Sequence, residues 1–267
     1  MIRLVAAVLA LCAPASASAH SFWLEPETHE AEPGAAIEIA FKVGDAGDVE
    51  DWGLYWERVA AFQLYSPTST HDQQSALRMS AAGEAGSARI ITREPGYHVV
   101  AFASNPSLSE LEAGRFNDYL EHEGLRAIQA DRDARAASGE VGTELYARRA
   151  KALLKIGAGG PDGALTKAIG QTLEIVPLAN PFTLPEGAPL GLRLLWRGAP
   201  LAGASLAVAR LDQTGQAEIV MTDANGEASV KLGEGRRFLV SSVWGVPAPK
   251  DTRADYFTIF ASLTFAR

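Results

Sequence analysis

A histidine that begins a processed chain can hold a metal ion twice. Its free α-amine and its Nδ1 close a six-membered chelate ring that no internal histidine can form. His20, at the head of His20-Ser21-Phe22-Trp23-Leu24-Glu25-Pro26, stands in the right place for this if the chain is cut just before it. A further nitrogen comes into question at His98, in Gly96-Tyr97-His98-Val99-Val100-Ala101. Strand alternation sets His98 on one face with Val100 and Phe102. It therefore reads in two ways, as a core histidine held by one hydrogen bond or as a ligand that an N-terminal arm meets at the end of a sandwich. Asp118 and His122 are four residues apart with Glu121 adjacent. On a helix that spacing can hold a metal, but an ordinary surface ion pair is the simpler reading.

Other chemistry finds less footing. Gly44-Asp45-Ala46-Gly47-Asp48-Val49-Glu50-Asp51 is acid-rich, yet it lacks the donor spacing and closing glutamate of a calcium loop and reads as a solvated acidic loop. Gly157-Ala158-Gly159-Gly160-Pro161-Asp162-Gly163 lacks the Gly-Lys-Ser/Thr continuation of a phosphate-cradling loop and reads as a turn or linker. Trp52, Tyr55 and Trp56 could stack on a sugar or base, but such aromatics more commonly cap the edge of a core. No catalytic serine, cysteine or paired-carboxylate constellation stands out, so no hydrolase is expected.

The elements that position these residues begin with a leader. Arg3, the apolar run Leu4 to Cys12 and the small-residue tract ending Ala17-Ser18-Ala19 form a signal peptide over residues 1–19, cut before His20. The apolar run is too short to span a bilayer, and no later stretch is long enough. Cutting removes Cys12, the single cysteine, so the exported chain must stand on burial without a disulfide. The chain carries 24 Lys and Arg against 32 Asp and Glu, a net charge of −8, and loss of Arg3 makes the balance one unit more negative. Such a surface repels phosphate backbones and gathers cations, which argues against nucleic acid as a partner. The expected location is the periplasm.

Two domains are expected, at residues 20–165 and 170–267. In the first, Ile37 to Val43, Val59 to Tyr65, Ser87 to Thr92 and Gly96 to Ser104 alternate as half-buried strands. After Asn105-Pro106 a helical insertion is expected near 109–137, opening at Ser109-Glu110-Leu111-Glu112 with Phe116, Tyr119, Leu120, Leu125 and Ile128 on its apolar side. Glu144 to Ile156 is ambiguous between helix and strand, with a strand favoured in its second half. From Thr172 to Phe265 seven short strands follow at regular spacing, the count of an immunoglobulin-like sandwich. The expected fold class is mainly β: two antiparallel immunoglobulin-like β-sandwich domains with a helical insertion between strands of the first.

The stretches His20 to Pro26, Gly96 to Ala101, Tyr119-Leu120-Glu121-His122-Glu123-Gly124-Leu125, Tyr146-Ala147-Arg148-Arg149-Ala150-Lys151-Ala152, Leu173-Glu174-Ile175-Val176-Pro177-Leu178-Ala179-Asn180-Pro181 and Ala261-Ser262-Leu263-Thr264-Phe265 resemble the bacterial exported proteins grouped as domain of unknown function family 4198. The resemblance runs over nearly the whole chain after the leader. It implies a periplasmic component of nickel or cobalt uptake, with metal captured or handed on rather than turned over, and matches His20 and His98 as the positions able to ligate. Lys151, beside its arginines, reads as a structural anchor.

Three functions of different classes follow. The first is a transition-metal-binding accessory protein linked to nickel or cobalt uptake, binding nickel, cobalt or copper through His20 and His98, partnered by a membrane metal-uptake complex but not itself membrane-spanning. The second is a copper oxidoreductase built on an N-terminal histidine brace, which needs a second histidine opposite His20. The third is a structural or interaction β-sandwich protein without metal. The first is the leading expectation, and it is not an enzyme.

Overall fold

The computed structural model describes residues 21–45, 48–213 and 215–267. Its first ten strands are β1 (Ser21–Pro26), β2 (Glu30–Ala31), β3 (Ala36–Asp45), β4 (Asp48–Asp51), β5 (Val59–Tyr65), β6 (Thr70–Asp72), β7 (Leu77–Arg78), β8 (Ser87–Ile91), β9 (Gly96–Ser104) and β10 (Ser107–Leu111). Helices α1 (Ala113–His122) and α2 (Arg126–Ala134) follow. The chain then runs through β11 (Gly142–Ile156), β12 (Leu173–Pro177), β13 (Leu190–Trp196), β14 (Ala199–Pro200), β15 (Ser205–Arg210), β16 (Glu218–Met221), β17 (Glu227–Val230), β18 (Arg237–Pro247) and β19 (Tyr256–Ala266). It is mainly β with two short helices. The expected signal peptide, residues 1–19, and His20 lie outside the described residues.

These strands form three sheets. A ten-stranded sheet runs β16-β15-β18-β19-β11-β9-β5-β6, with β10 and β2 also paired to β11. A five-stranded sheet contains β1, β3, β4, β7 and β8, and a four-stranded sheet contains β12, β13, β14 and β17. The long sheet is the middle layer. The five-stranded sheet packs on one face through Phe22, Leu24, Ile37, Ile39 and Phe41, against Phe62, Val100, Phe102 and Leu154. The four-stranded sheet packs on the other face through Ile175, Leu192 and Leu194, against Leu206, Val240, Leu263 and Phe265.

The expected division near residues 165–170 falls in the loop between β11 and β12, and the middle sheet continues across it. Strands β11 and β19 pair in parallel from Glu144↔Tyr256 to Ala152↔Thr264. Such strands are buried on both faces, which is why Ala150-Lys151-Ala152-Leu153-Leu154 and Thr258-Ile259-Phe260-Ala261-Ser262-Leu263 carry so few polar interruptions. The ambiguous segment from Glu144 is thus strand throughout. The helix expected to open at Ser109 opens four residues later, because Ser109 pairs with Glu144 and holds β10 extended. Both helices sit on the middle sheet beside the five-stranded one, with Phe116, Tyr119, Leu120 and Ile128 packed on Tyr256 and Phe260. Glycines make that close approach: a Cβ on Gly142 would come within 2.2 Å of the Phe116 ring, and one on Gly245 within 2.4 Å of Ile128 Cδ1.

Lys151 is an anchor of an unusual kind. Its ammonium is 2 % exposed and donates to Glu174 Oε1 at 2.9 Å, while the Glu174 carboxylate, 1 % exposed, also accepts the backbone N–H groups of Ile169, Gly170 and Gln171. Burial pushes the lysine pKa down, and the neighbouring carboxylate pulls it back up. The pair therefore ties the connecting loop to the middle of β11. Lys151→Met, which strands a buried carboxylate, should cost on the order of 3 kcal/mol or more in urea unfolding, and adding Glu174→Gln should recover part of that loss.

Candidate functional site

Strand β1 is tied to the last strands of the chain. Phe22 and Leu24 enter the core beneath the five-stranded sheet, while Ser21, Trp23 and Glu25 alternate to the opposite side. Ser21 Oγ donates to Ser241 Oγ at 3.1 Å, Leu24 O accepts Thr264 Oγ1 at 2.7 Å, and Arg237 Nη1 donates to Glu25 Oε1 at 3.0 Å. β1 is thereby stitched to β18 and β19, more than 200 positions later in sequence. The Arg148 guanidinium lies 5.3 Å from the Phe22 ring centre, 6.0 Å from Trp52, 5.7 Å from Tyr146 and 5.4 Å from Phe260. Burial lowers the Arg148 pKa from its ordinary value, and the rings hold the charge by cation–π attraction where Nη1 finds no hydrogen-bond partner.

At the amino end of β1 the middle sheet is left partly uncovered, and a cleft of about 590 Å³ opens there. Ser205 and Ser241 belong to its floor, Ser21 and Val49 to one wall, His122 and Glu123 to another. The last two sit where α1 ends. Gly124, at φ +66°, turns the chain, and Leu125 N–H closes back on Leu120 O at 2.8 Å, a glycine stop that leaves His122 and Glu123 at the helix rim. β1 runs alongside β11 in the same sense: Phe22 packs against Arg148, and β2, which follows β1, pairs with Lys155 and Ile156. Upstream on β11, Glu144 lies beneath α1 and accepts a hydrogen bond from the Tyr119 hydroxyl at 3.1 Å. The amino end of β1 therefore aims at the carboxyl end of α1.

The charged side chains lining this cleft are of both signs, Glu123 and Arg210. The stretch expected as a solvated acidic loop is instead the hairpin of β3 and β4, closed at Asp45↔Asp48, and it carries exposed Asp48, Glu50 and Asp51 beside Val49. Asp51 is bridged to Lys42 at 2.7 Å. The i,i+4 ion pair expected between Asp118 and His122 does not form among the described residues, which leaves that imidazole to the cleft. Among the described residues no three His, Cys, Asp or Glu side chains converge on one point.

His98 lies elsewhere. It is fully buried, its Nε2–H donates to Glu94 O at 2.8 Å, and Nδ1 has no partner. The Phe102 ring lies 5.6 Å from that of Phe22, and His98 is four residues back along the same strand, roughly 13 Å at strand rise. It pairs with Leu154, at the end of β1 away from Ser21. The structure does not bring His98 to the cleft. His29, unremarked in the sequence, is buried near that same far end and donates from Nδ1 to Leu153 O at 2.7 Å. Trp52 caps the core edge against Phe22 and Phe102, and the Arg58 guanidinium lies 5.2 Å from both its ring centre and that of the exposed Tyr55, while Trp56 is exposed.

A family model described as Domain of unknown function (DUF4198) matches residues 17–244. No curated protein matches the chain. Among solved structures the chain is similar to the D0-D1 domain of Intimin, at 15% identity over 92% of this chain and 97% of that one with a TM-score of 0.24. It is also similar to the human OSCAR ligand-binding domain, at 12% identity over 91% and 97% with a TM-score of 0.21. At such TM-scores neither likeness carries an argument about fold or function.

The buried histidines set an acid limit. Burial lowers the His29 pKa from 6.5 to about 4, outweighing the Leu153 hydrogen bond, and burial lowers that of His98 as well. Below pH 6.5 the unfolded chain takes up protons that the folded chain refuses, so stability is full above that pH and is lost as pH falls toward 4. Urea unfolding at pH 7 and pH 5 should differ by about 2 kcal/mol on account of His29, and His29→Gln should flatten that slope.

Proposed function

The chain belongs to the DUF4198 family, and we propose that it is an exported transition-metal-binding accessory protein, linked to nickel or cobalt uptake, that takes its ion through His20. The proposal includes a leader over residues 1–19, release into the periplasm, and immunoglobulin-like sandwiches for the two packed halves. The observation that carries it is the position of Ser21. The residue bonded to His20 lines a 590 Å³ cleft together with an imidazole and a carboxylate, under an acidic hairpin.

The donor chemistry fits the cargo. An amine, imidazoles and one carboxylate form a borderline, nitrogen-rich set suited to nickel, cobalt or copper, rather than the all-oxygen shell that calcium or magnesium requires. The acidic hairpin raises the local concentration of cations at the mouth of the cleft. Protons compete for both nitrogens of His20, since the amine must be neutral and the imidazole unprotonated before either can bind. Binding should therefore weaken as pH falls below about 6. This is capture and handing-on rather than turnover, with a membrane uptake complex as the receiver.

Calorimetry with nickel, cobalt and copper on protein beginning at His20, and on protein with one alanine added before it, tests the reading. The added residue abolishes the chelate ring and should weaken binding on the order of tenfold or more, equivalent to about 1.4 kcal/mol. Equal affinities would overturn the proposal and favour an interaction protein without metal.

A further inference from the structure

We infer that a groove on the face of the middle sheet opposite β1 binds a short-chain carboxylate, with the Arg149 guanidinium as its counter-ion. The site is separate from the His20 reading and does not depend on it. It begins where β9 and β11 part. Their ladder runs from Ile156↔Gly96 to Leu153↔Val99 and stops there. Beyond it side chains join the two strands: Gln171 Nε2 donates to Phe102 O at 3.1 Å and reaches Ala150 O at 3.5 Å, while Arg149 Nη1 donates to Ser104 O at 3.0 Å. Val99 is packed in the core beneath the four-stranded sheet. Ala101 and Ala103, on the same side of β9, instead line a groove of about 250 Å³ together with Ala61 of β5 and Ile169 of the loop after β11.

Among the described residues Arg149 is the one charged side chain that lines this groove, and it has no carboxylate partner, in a chain whose net charge is −8. Its bonds to the protein both come from Nη1, the second running to Arg148 O at 2.8 Å, so among the described residues the Nε–Nη2 edge meets no acceptor. Two carbonyls thus fix the guanidinium and spare the edge that matches the paired oxygens of a carboxylate. Burial lowers the Arg149 pKa with no neighbouring acid to raise it, which leaves a partly desolvated charge uncompensated. The charge of Glu174 reaches Tyr65, which also lines the groove, but Lys151 and three backbone N–H groups already hold that carboxylate. One cation calls for a monoanion, since a dianion such as phosphate would leave excess negative charge on an acidic protein. The alanine methyls and Ile169 give the rest of the ligand an apolar bed.

Butyrate titrated into isotope-labelled protein at constant ionic strength, followed by nuclear magnetic resonance, tests this. The Arg149 Nε–Hε signal, identified as the one that Arg149→Lys removes, should shift together with the backbone amides of Ala103 and Gly170 and saturate at about millimolar concentration. Arg149→Lys keeps the charge but loses the fork, and should weaken the saturation of those amides about tenfold. Ala103→Leu fills the groove and leaves the Nη1 bonds to backbone carbonyls in place, so it should abolish saturation, whereas a purely structural role for Arg149 would leave the response to butyrate the same in every variant. Shifts that rise linearly, or that chloride reproduces, overturn the site. Phosphate saturating the same signals more tightly than butyrate overturns the carboxylate assignment, and unchanged saturation in either variant places the ligand elsewhere and overturns the proposal. A cooperative urea transition in each variant verifies that the comparison is made on folded protein.

Discussion

Parallel pairing between β11 and β19 is the constraint on which everything else in this fold depends. Two strands more than a hundred residues apart lie side by side at the centre of the middle sheet, and neither has a face that can be left in water. One face requires the four-stranded sheet and the other requires the five-stranded sheet and the helices. The two halves of the chain are consequently not beads joined by a linker, for each completes the other's burial. Lys151, at the middle of β11, shows how strict this is: the cation in so apolar a stretch is matched by Glu174, whose carboxylate is in turn satisfied by three backbone N–H groups.

The cleft follows from how that sheet is covered. The five-stranded sheet reaches across the β5, β9 and β11 region, the helices reach across β11, β18 and β19, and between them part of β15, β16 and β18 stays open. β1 is the edge of the first cover and α1 ends at the rim of the second. The gap therefore brings together the start of one element and the finish of another, two places where backbone direction and side-chain reach are least occupied by packing. Such gaps at the joints of a rigid scaffold are where ligand sites tend to be built.

Much of the strand pattern was legible in the sequence because period-two alternation is a local signal. Val59 to Tyr65, Gly96 to Ser104 and Leu190 to Trp196 have the bounds that alternation assigns them. β1 escaped notice as a strand since Phe22, Trp23 and Leu24 are all buried, and a segment covered on both sides shows no alternation. The joining of β11 to β19 was invisible for a different reason: parallel register between distant segments leaves no mark in either one. Of the candidate site, His20 lies outside the described residues, and the surroundings of Ser21 leave no local mark in the sequence. His98 stood out by sharing a strand with apolar residues, which turned out to mark the interior, whereas His122 was set aside because Asp118 four residues earlier offered an ordinary explanation. Only the end of α1, fixed by Gly124, shows which way that imidazole faces.

The hydrogen bond from Thr264 to the carbonyl of Leu24 has a consequence for the order of assembly. It closes a loop of 240 residues, so the first of the described strands is held in place by the last. Contacts of such long sequence separation form late, after the chain between them has condensed. β1 is thus seated only when the final strand docks, and until then Phe22 and Leu24 have no finished core to enter. Completion of the cleft that Ser21 lines is thereby left to the end of folding.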